Sequence, residues 1–136
     1  KKFENFKNKV IGYHITNYDN LKSILDNGLE PRVPTDYGIS GDIKGVYFFK
    51  TVNDTFNALL NWLGERIEEI EEENDIEYRE TLLVIDLTGL DLYDSVEFEW
   101  ISLEHITPDR ILEVHEIFDN SINDNELAKE LAKKYD

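Results

Sequence analysis

Seven consecutive residues, T-L-L-V-I-D-L at positions 81–87, limit the fold more than any other part of the chain. A strand with one face in water alternates apolar and polar residues, whereas a run that is apolar almost throughout reads as a buried central strand. A sheet with this segment inside it is therefore expected, and the remaining elements have to cover it.

The rest of the chain supplies both strands and helices. Positions 10–16 are β-prone and alternate, so His14 and Thr16 share one strand face while Tyr13 and Ile15 share the other. Asn17 or Asp19 is placed to cap a short helix with Tyr18, Leu21, Ile24 and Leu25 as its apolar stripe, and Asn27-Gly28 supplies a left-handed stop before Pro31. The region 30–44 has the proline, glycine and aspartate content of a surface loop, and loops of roughly 15 residues often serve as binding lids. A second strand follows at 45–50, and Thr51-Val52-Asn53-Asp54 resembles a capping box that opens a long helix. Phe56, Leu59, Leu60, Leu63, Ile67 and Ile70 are its expected core stripe, and its glutamates belong to a solvated face. That glutamate run lacks the alternating ligands and glycine of a calcium loop, and no metal site is expected.

After a turn at Thr88-Gly89, positions 95–101 alternate Val96, Phe98 and Trp100 against Glu97, Glu99 and Ile101. Two carboxylates on one face of a partly buried strand cost free energy, so a plain core strand rarely carries them without a use. A turn around Thr107-Pro108-Asp109, a last strand at 111–118 and a terminal helix carrying Leu127, Leu131 and Tyr135 complete the chain. Positions 1–9 read as mostly irregular. The sum is one α+β domain over 1–136, with five or six strands and three helices.

Composition narrows the function. The absence of cysteine rules out disulfides and thiolate metal sites. No apolar run reaches the roughly 20 residues of a membrane helix and no signal segment follows Lys1-Lys2, so a soluble, cytoplasmic protein is expected. A net charge of −16 repels phosphate backbones, which argues against direct nucleic-acid binding. The same charge either keeps the surface solvated or suits a basic partner, as in a nucleic-acid mimic.

Four short strings carry a resemblance: H-I-T at 14–16, I-L-D-N-G-L at 24–29, G-V-Y-F-F at 45–49 and E-W-I at 99–101. In this order they resemble the signature blocks of the diphtheria-toxin-like and poly-ADP-ribose-polymerase-like ADP-ribosyltransferases. The resemblance implies a split two-sheet fold and NAD as the substrate dinucleotide. It also implies a cofactor wall made by His14, Ile15, Thr16, Gly45, Tyr47 and Thr55, with Glu99 as the catalytic carboxylate and Tyr47 packed on the nicotinamide. Arg32, Lys44 and Lys50 are the cations placed to receive the diphosphate.

Each residue also has a plain reading. His14 can be a hydrogen-bonded structural group, Tyr47 core, and Glu99 one half of an ion pair with Arg79, Arg110 or a lysine. The chain departs from the family pattern at Ile15, where glycine is usual, and at Ala58, where a ring-stacking tyrosine is usual; Phe56 or Trp62 is the candidate replacement ring. E-F-E at 97–99 is similar to the E-x-E motif of arginine-modifying members, which makes Glu97 a candidate orienter of the acceptor group. The implied activity is mono-ADP-ribosylation of a protein target, as by a bacterial toxin or a phage factor that disables a host or defence protein. The competing expectations are a non-catalytic acidic binding protein or inhibitor on the same fold and, third, an RNA 2′-phosphotransferase-like enzyme, for which the four arginines are few.

Overall fold

The computed structural model describes residues 9–33, 43–117 and 124–136. Among these residues six strands form one antiparallel sheet: β1 (Ile11–Asn17), β2 (Val46–Phe49), β3 (Glu80–Asp86), β4 (Leu92–Val96), β5 (Glu99–Ser102) and β6 (Ile111–His115). Their spatial order is β4-β5-β2-β1-β3-β6, so the two segments carrying the first sequence blocks are neighbours at its centre. Four α-helices among the described residues accompany them: α1 (Leu21–Asn27), α2 (Val52–Leu60), α3 (Trp62–Asn74) and α4 (Asp124–Tyr135). No helix among the described residues is long and apolar enough to cross a membrane.

The apolar run at 81–87 lies inside the sheet as β3, between β1 and β6, with Leu82, Leu83, Val84 and Ile85 all at 0% exposure. Alternation divides these residues between two cores. Leu82 and Val84 join Tyr13, Ile15 and Phe49 beneath Val52, Ala58, Leu63, Ile67, Leu127 and Leu131 of α2, α3 and α4. Leu83 and Ile85 join Val46 and Phe48 on the opposite face, with Ile24 of α1, Leu87 and Ile106. Burying apolar area at about 25 cal/mol per Å² on both faces is what makes this strand central.

The structure departs from the expected pattern in three places. Positions 95–101 do not form one strand, because the chain reverses at Glu97-Phe98 and pairs Val96 with Glu99 as a hairpin. The two glutamates therefore do not share a strand face: Glu97 is exposed in the turn and Glu99 is buried on β5. The expected long helix is two helices, broken at Asn61, whose backbone (φ −128°, ψ −113°) leaves the helical region. Gly64 permits the join, since a Cβ there would meet the Leu59 carbonyl oxygen at 2.2 Å. The break turns Leu60 outward to 82% exposure, although the 3.6-residue period assigned it to the core.

The third departure concerns the sheet itself. In place of two sheets, the described strands make one, with a weak seam between β1 and β2. The β1 and β3 strands pair continuously from Ile11↔Asp86 to Asn17↔Glu80, but β1 and β2 pair only at Tyr13↔Phe49. Continued in register, that ladder would set Ile15 opposite Tyr47, and it does not. Gly12 brings the strands close below the seam, because a Cβ there would lie 2.9 Å from the Phe48 Cβ and 2.5 Å from Leu87. Above Tyr13 they part.

Candidate functional site

Where β1 and β2 part, a cavity of about 600 Å³ opens, within the roughly 300–1,000 Å³ usual for small-molecule sites. Its floor comes from both strands: His14, Ile15 and Thr16 from β1, and Gly45, Val46 and Tyr47 from the start of β2. Residues from alternating positions line one cavity only because the strands have separated, so that the opening admits side chains of both sheet faces.

His14 closes the seam with its side chain. Its Nδ1 lies 2.9 Å from the Tyr47 carbonyl oxygen, standing where a ladder N–H would otherwise be. A carbonyl only accepts, so Nδ1 carries the hydrogen. Burial holds the imidazole below its usual pKa of 6.5, and the bond to the Tyr47 carbonyl offsets only part of that effect. At neutral pH the ring is therefore uncharged, and its Nε2 lone pair is an acceptor suited to a ligand hydroxyl. The ring also tilts against Phe48, 5.7 Å between centroids.

Backbone geometry fixes Tyr47 and Arg32. Tyr47 is buried and its hydroxyl donates to the Ile43 carbonyl. Arg32 and Gly45 exchange two backbone hydrogen bonds of 2.9 Å, which pins together the two ends of the loop expected to act as a lid. Positions 34–42 of that loop lie outside the described residues. Gly45 fits this bridge because a Cβ would come within 2.4 Å of Ile101. The opposite wall is α1 and the segment after it, where Leu29 and Ile106 pair through two backbone bonds of 2.9 Å.

The electrostatics of this cavity differ from those of the whole chain. On a protein of net charge −16, the described wall carries one carboxylate, Glu30, and one guanidinium, Arg32. The Glu30 carboxylate is already engaged, 2.6 Å from His105 Nδ1. The wall can therefore receive an anionic group that the rest of the surface would repel.

Six of the residues singled out from sequence, His14, Ile15, Thr16, Arg32, Gly45 and Tyr47, line this single cavity. Three do not. Glu97 is in the β4–β5 turn. Thr55 is buried on α2, where its hydroxyl donates to the Thr51 carbonyl at 2.9 Å. Glu99, 3% exposed, sits on β5 opposite Phe49. Because Tyr47 pairs with Ile101 in the same ladder, Glu99 and Tyr47 are diagonal neighbours on one sheet face, about 7–8 Å apart by antiparallel geometry. Lys50 is also elsewhere: its ammonium pairs with Asp94 and lies 4.3 Å from the centre of the Trp100 ring.

Other parts of the wall were not identified from sequence. Asn20, Ser23 and Asn27 of the α1 region face the cavity, and their helical spacing of three and four is a signal that could have marked a polar stripe. Ile67 and Ile70 of α3, with Ile76 and Tyr78 beyond it, form the apolar side. No protein-family model matches the chain, and none of the curated proteins matches its sequence.

Proposed function

We propose that this chain is an NAD-dependent mono-ADP-ribosyltransferase that acts in the cytoplasm on a protein acceptor. The observation that carries the reading is the convergence of His14, Ile15 and Thr16 with Gly45 and Tyr47, from blocks some thirty residues apart, on one cavity together with Arg32. Its chemistry suits a dinucleotide: a neutral imidazole to accept a ribose hydroxyl, hydroxyl and amide side chains around it, an aromatic wall, and a cation in reach of a diphosphate.

In the proposed reaction the bond between the nicotinamide nitrogen and the ribose C1′ breaks, and its electron pair leaves with nicotinamide. A nucleophilic atom of the acceptor then forms the new bond to C1′ and gives up its proton. Positive charge builds on the sugar during this step, so a fixed carboxylate nearby lowers the barrier. Glu99 is the carboxylate this reading requires. It lies on the strand next to that of Tyr47 and diagonally across from it, about 7–8 Å away. Its burial keeps the group in a setting where electrostatic effects exceed those in water.

A second reading is favoured by one observation: neither Glu97 nor Glu99 is part of the cavity wall. On that reading the chain binds a dinucleotide or a basic partner without turnover. Incubation with NAD labelled in its adenylate half separates the two. Label on a discrete acceptor band in a lysate, lost in Glu99→Gln but accompanied by unchanged NAD binding, supports transfer. Saturable NAD binding, lost in His14→Ala, with no nicotinamide released by wild type, supports the binding protein.

A further inference from the structure

A second cavity, of about 490 Å³, lies on the far side of the segment that joins α3 to β3, and Tyr78 lines both it and the first. Its floor is apolar, made by Phe56, Leu59 and Leu60 of α2 with Ile117 and Ala128. Leu60 is the most exposed large apolar side chain among the described residues, so part of this floor is open to water. The rim is acidic: Glu71, Glu77, Glu80 and Asp124 stand against one guanidinium, Arg79, which already pairs with Asp19.

We propose that this groove docks a basic segment of a partner protein whose arginine or lysine side chains lay their methylene stems on the floor and set their charged ends among the rim carboxylates. Charge complementarity selects the occupant. Long cationic side chains are the ones that cover apolar surface with their stems while the heads stay at a polar edge. The rim of like charges repels acidic occupants, and a neutral apolar one covers the floor but desolvates the rim carboxylates without compensating them. Burial first, and then the nearby Glu71 and Asp124, hold the Glu80 carboxyl above its ordinary range. A bound cation relieves that repulsion. This inference does not depend on NAD chemistry and stands or falls separately from it.

The test uses the full chain at physiological salt and a fluorescein-labelled peptide of alternating arginine and leucine. Glu80→Gln combined with Asp124→Asn removes two rim charges and should weaken binding about tenfold, as expected for two partly desolvated ion pairs. Glu68→Gln combined with Glu72→Gln removes the same charge from the exposed face of α3 and should change it less than about twofold, since exposed charges are screened by salt. Leu60→Ser, at a position 82% exposed in the free chain, should weaken it several-fold. Equal losses from the two double variants would reduce the effect to bulk charge and overturn the proposal. So would undiminished binding of a peptide with its arginines changed to 2,3-diaminopropionate, which keeps the charge and removes the stem, displacement by spermidine as effective as by unlabelled peptide, or no binding at all.

Discussion

Asp136 is predicted to hold the strand that carries His14 against the helical layer, and its removal should cost more than one hydrogen bond. One carboxylate oxygen accepts from the Tyr13 hydroxyl at 2.7 Å and the other from the Val52 amide, the first of α2, at 2.8 Å. Tyr13 is fully buried, and burial together with the bond to Asp136 pushes its phenol far above the usual range, so the hydroxyl stays protonated and donates. In Asp136→Ala, stranding that donor costs about 1–3 kcal/mol. Losing an acceptor at a helix N-terminus adds about 0.5–2 kcal/mol. Because Asp136 itself is exposed and water reaches it, we take the lower half of the sum, about 2 kcal/mol.

Urea unfolding followed by the fluorescence of Trp62 and Trp100 measures this directly. The midpoint should fall without a change in the slope, and the melting temperature should drop by about 6–10 °C. The decisive comparison is the same change in a Tyr13→Phe background, where no hydroxyl is left to strand. There Asp136→Ala should cost only the helix-end part, about 1 kcal/mol. Equal costs in the two backgrounds, within about 0.3 kcal/mol, would refute the linkage.

Other expectations follow from the same contacts. Burial raises the Glu113 carboxyl, but hydrogen bonds from Tyr135, Lys134 and His115 outweigh it and bring its pKa from 4.5 down to about 2. Its stabilisation is therefore complete above the unfolded value and is lost as pH falls from about 4.5 towards 2; discounted for solvent screening it is about 1–2 kcal/mol, and Glu113→Gln should flatten the acid limb of stability against pH by that amount. His14 adds to the same acid loss at higher pH, since its lowered folded pKa makes protonation destabilising once pH falls below the unfolded range near 6.5. NMR titration of its ring should show the shift, and any ligand that donates to its Nε2 should bind at pH 7 and weaken in acid. Gly45→Ala forces a Cβ to within 2.4 Å of the Ile101 side chain and 2.9 Å of the Ser102 carbonyl oxygen. It should cost about 1–3 kcal/mol in thermal unfolding, with weakened ligand binding at the adjoining wall.

The chain states some of this architecture openly and hides the rest for physical reasons. The β3 strand was legible because Leu82 to Ile85 contains no polar residue, and that pattern fits few positions other than the middle of a covered sheet. His14 and Tyr47 were legible through the order of short blocks, and the structure brings them together across the seam. The hairpin at Glu97-Phe98 was not, because V-E-F-E alternates as smoothly as an uninterrupted strand and contains none of the glycine, proline or asparagine that marks tight turns. The break at Asn61 was hidden for a related reason: the apolar period runs through it, and only Gly64 hints at the close join. Ile67 and Ile70 were read as core, since periodicity identifies which residues leave water but not which of them border a void.

The single pair Tyr13↔Phe49 behaves as the spine of a half-open book. The β4, β5 and β2 strands make one cover and β1, β3 and β6 the other, and each cover is bound far more firmly within itself than to its neighbour. A molecule lodged in the gutter touches both covers at once, so its arrival stiffens the protein along a line where few backbone bonds do so. Slowed amide exchange in β2, with β3 already slow in the free chain, is the signature that such a molecule has been taken up.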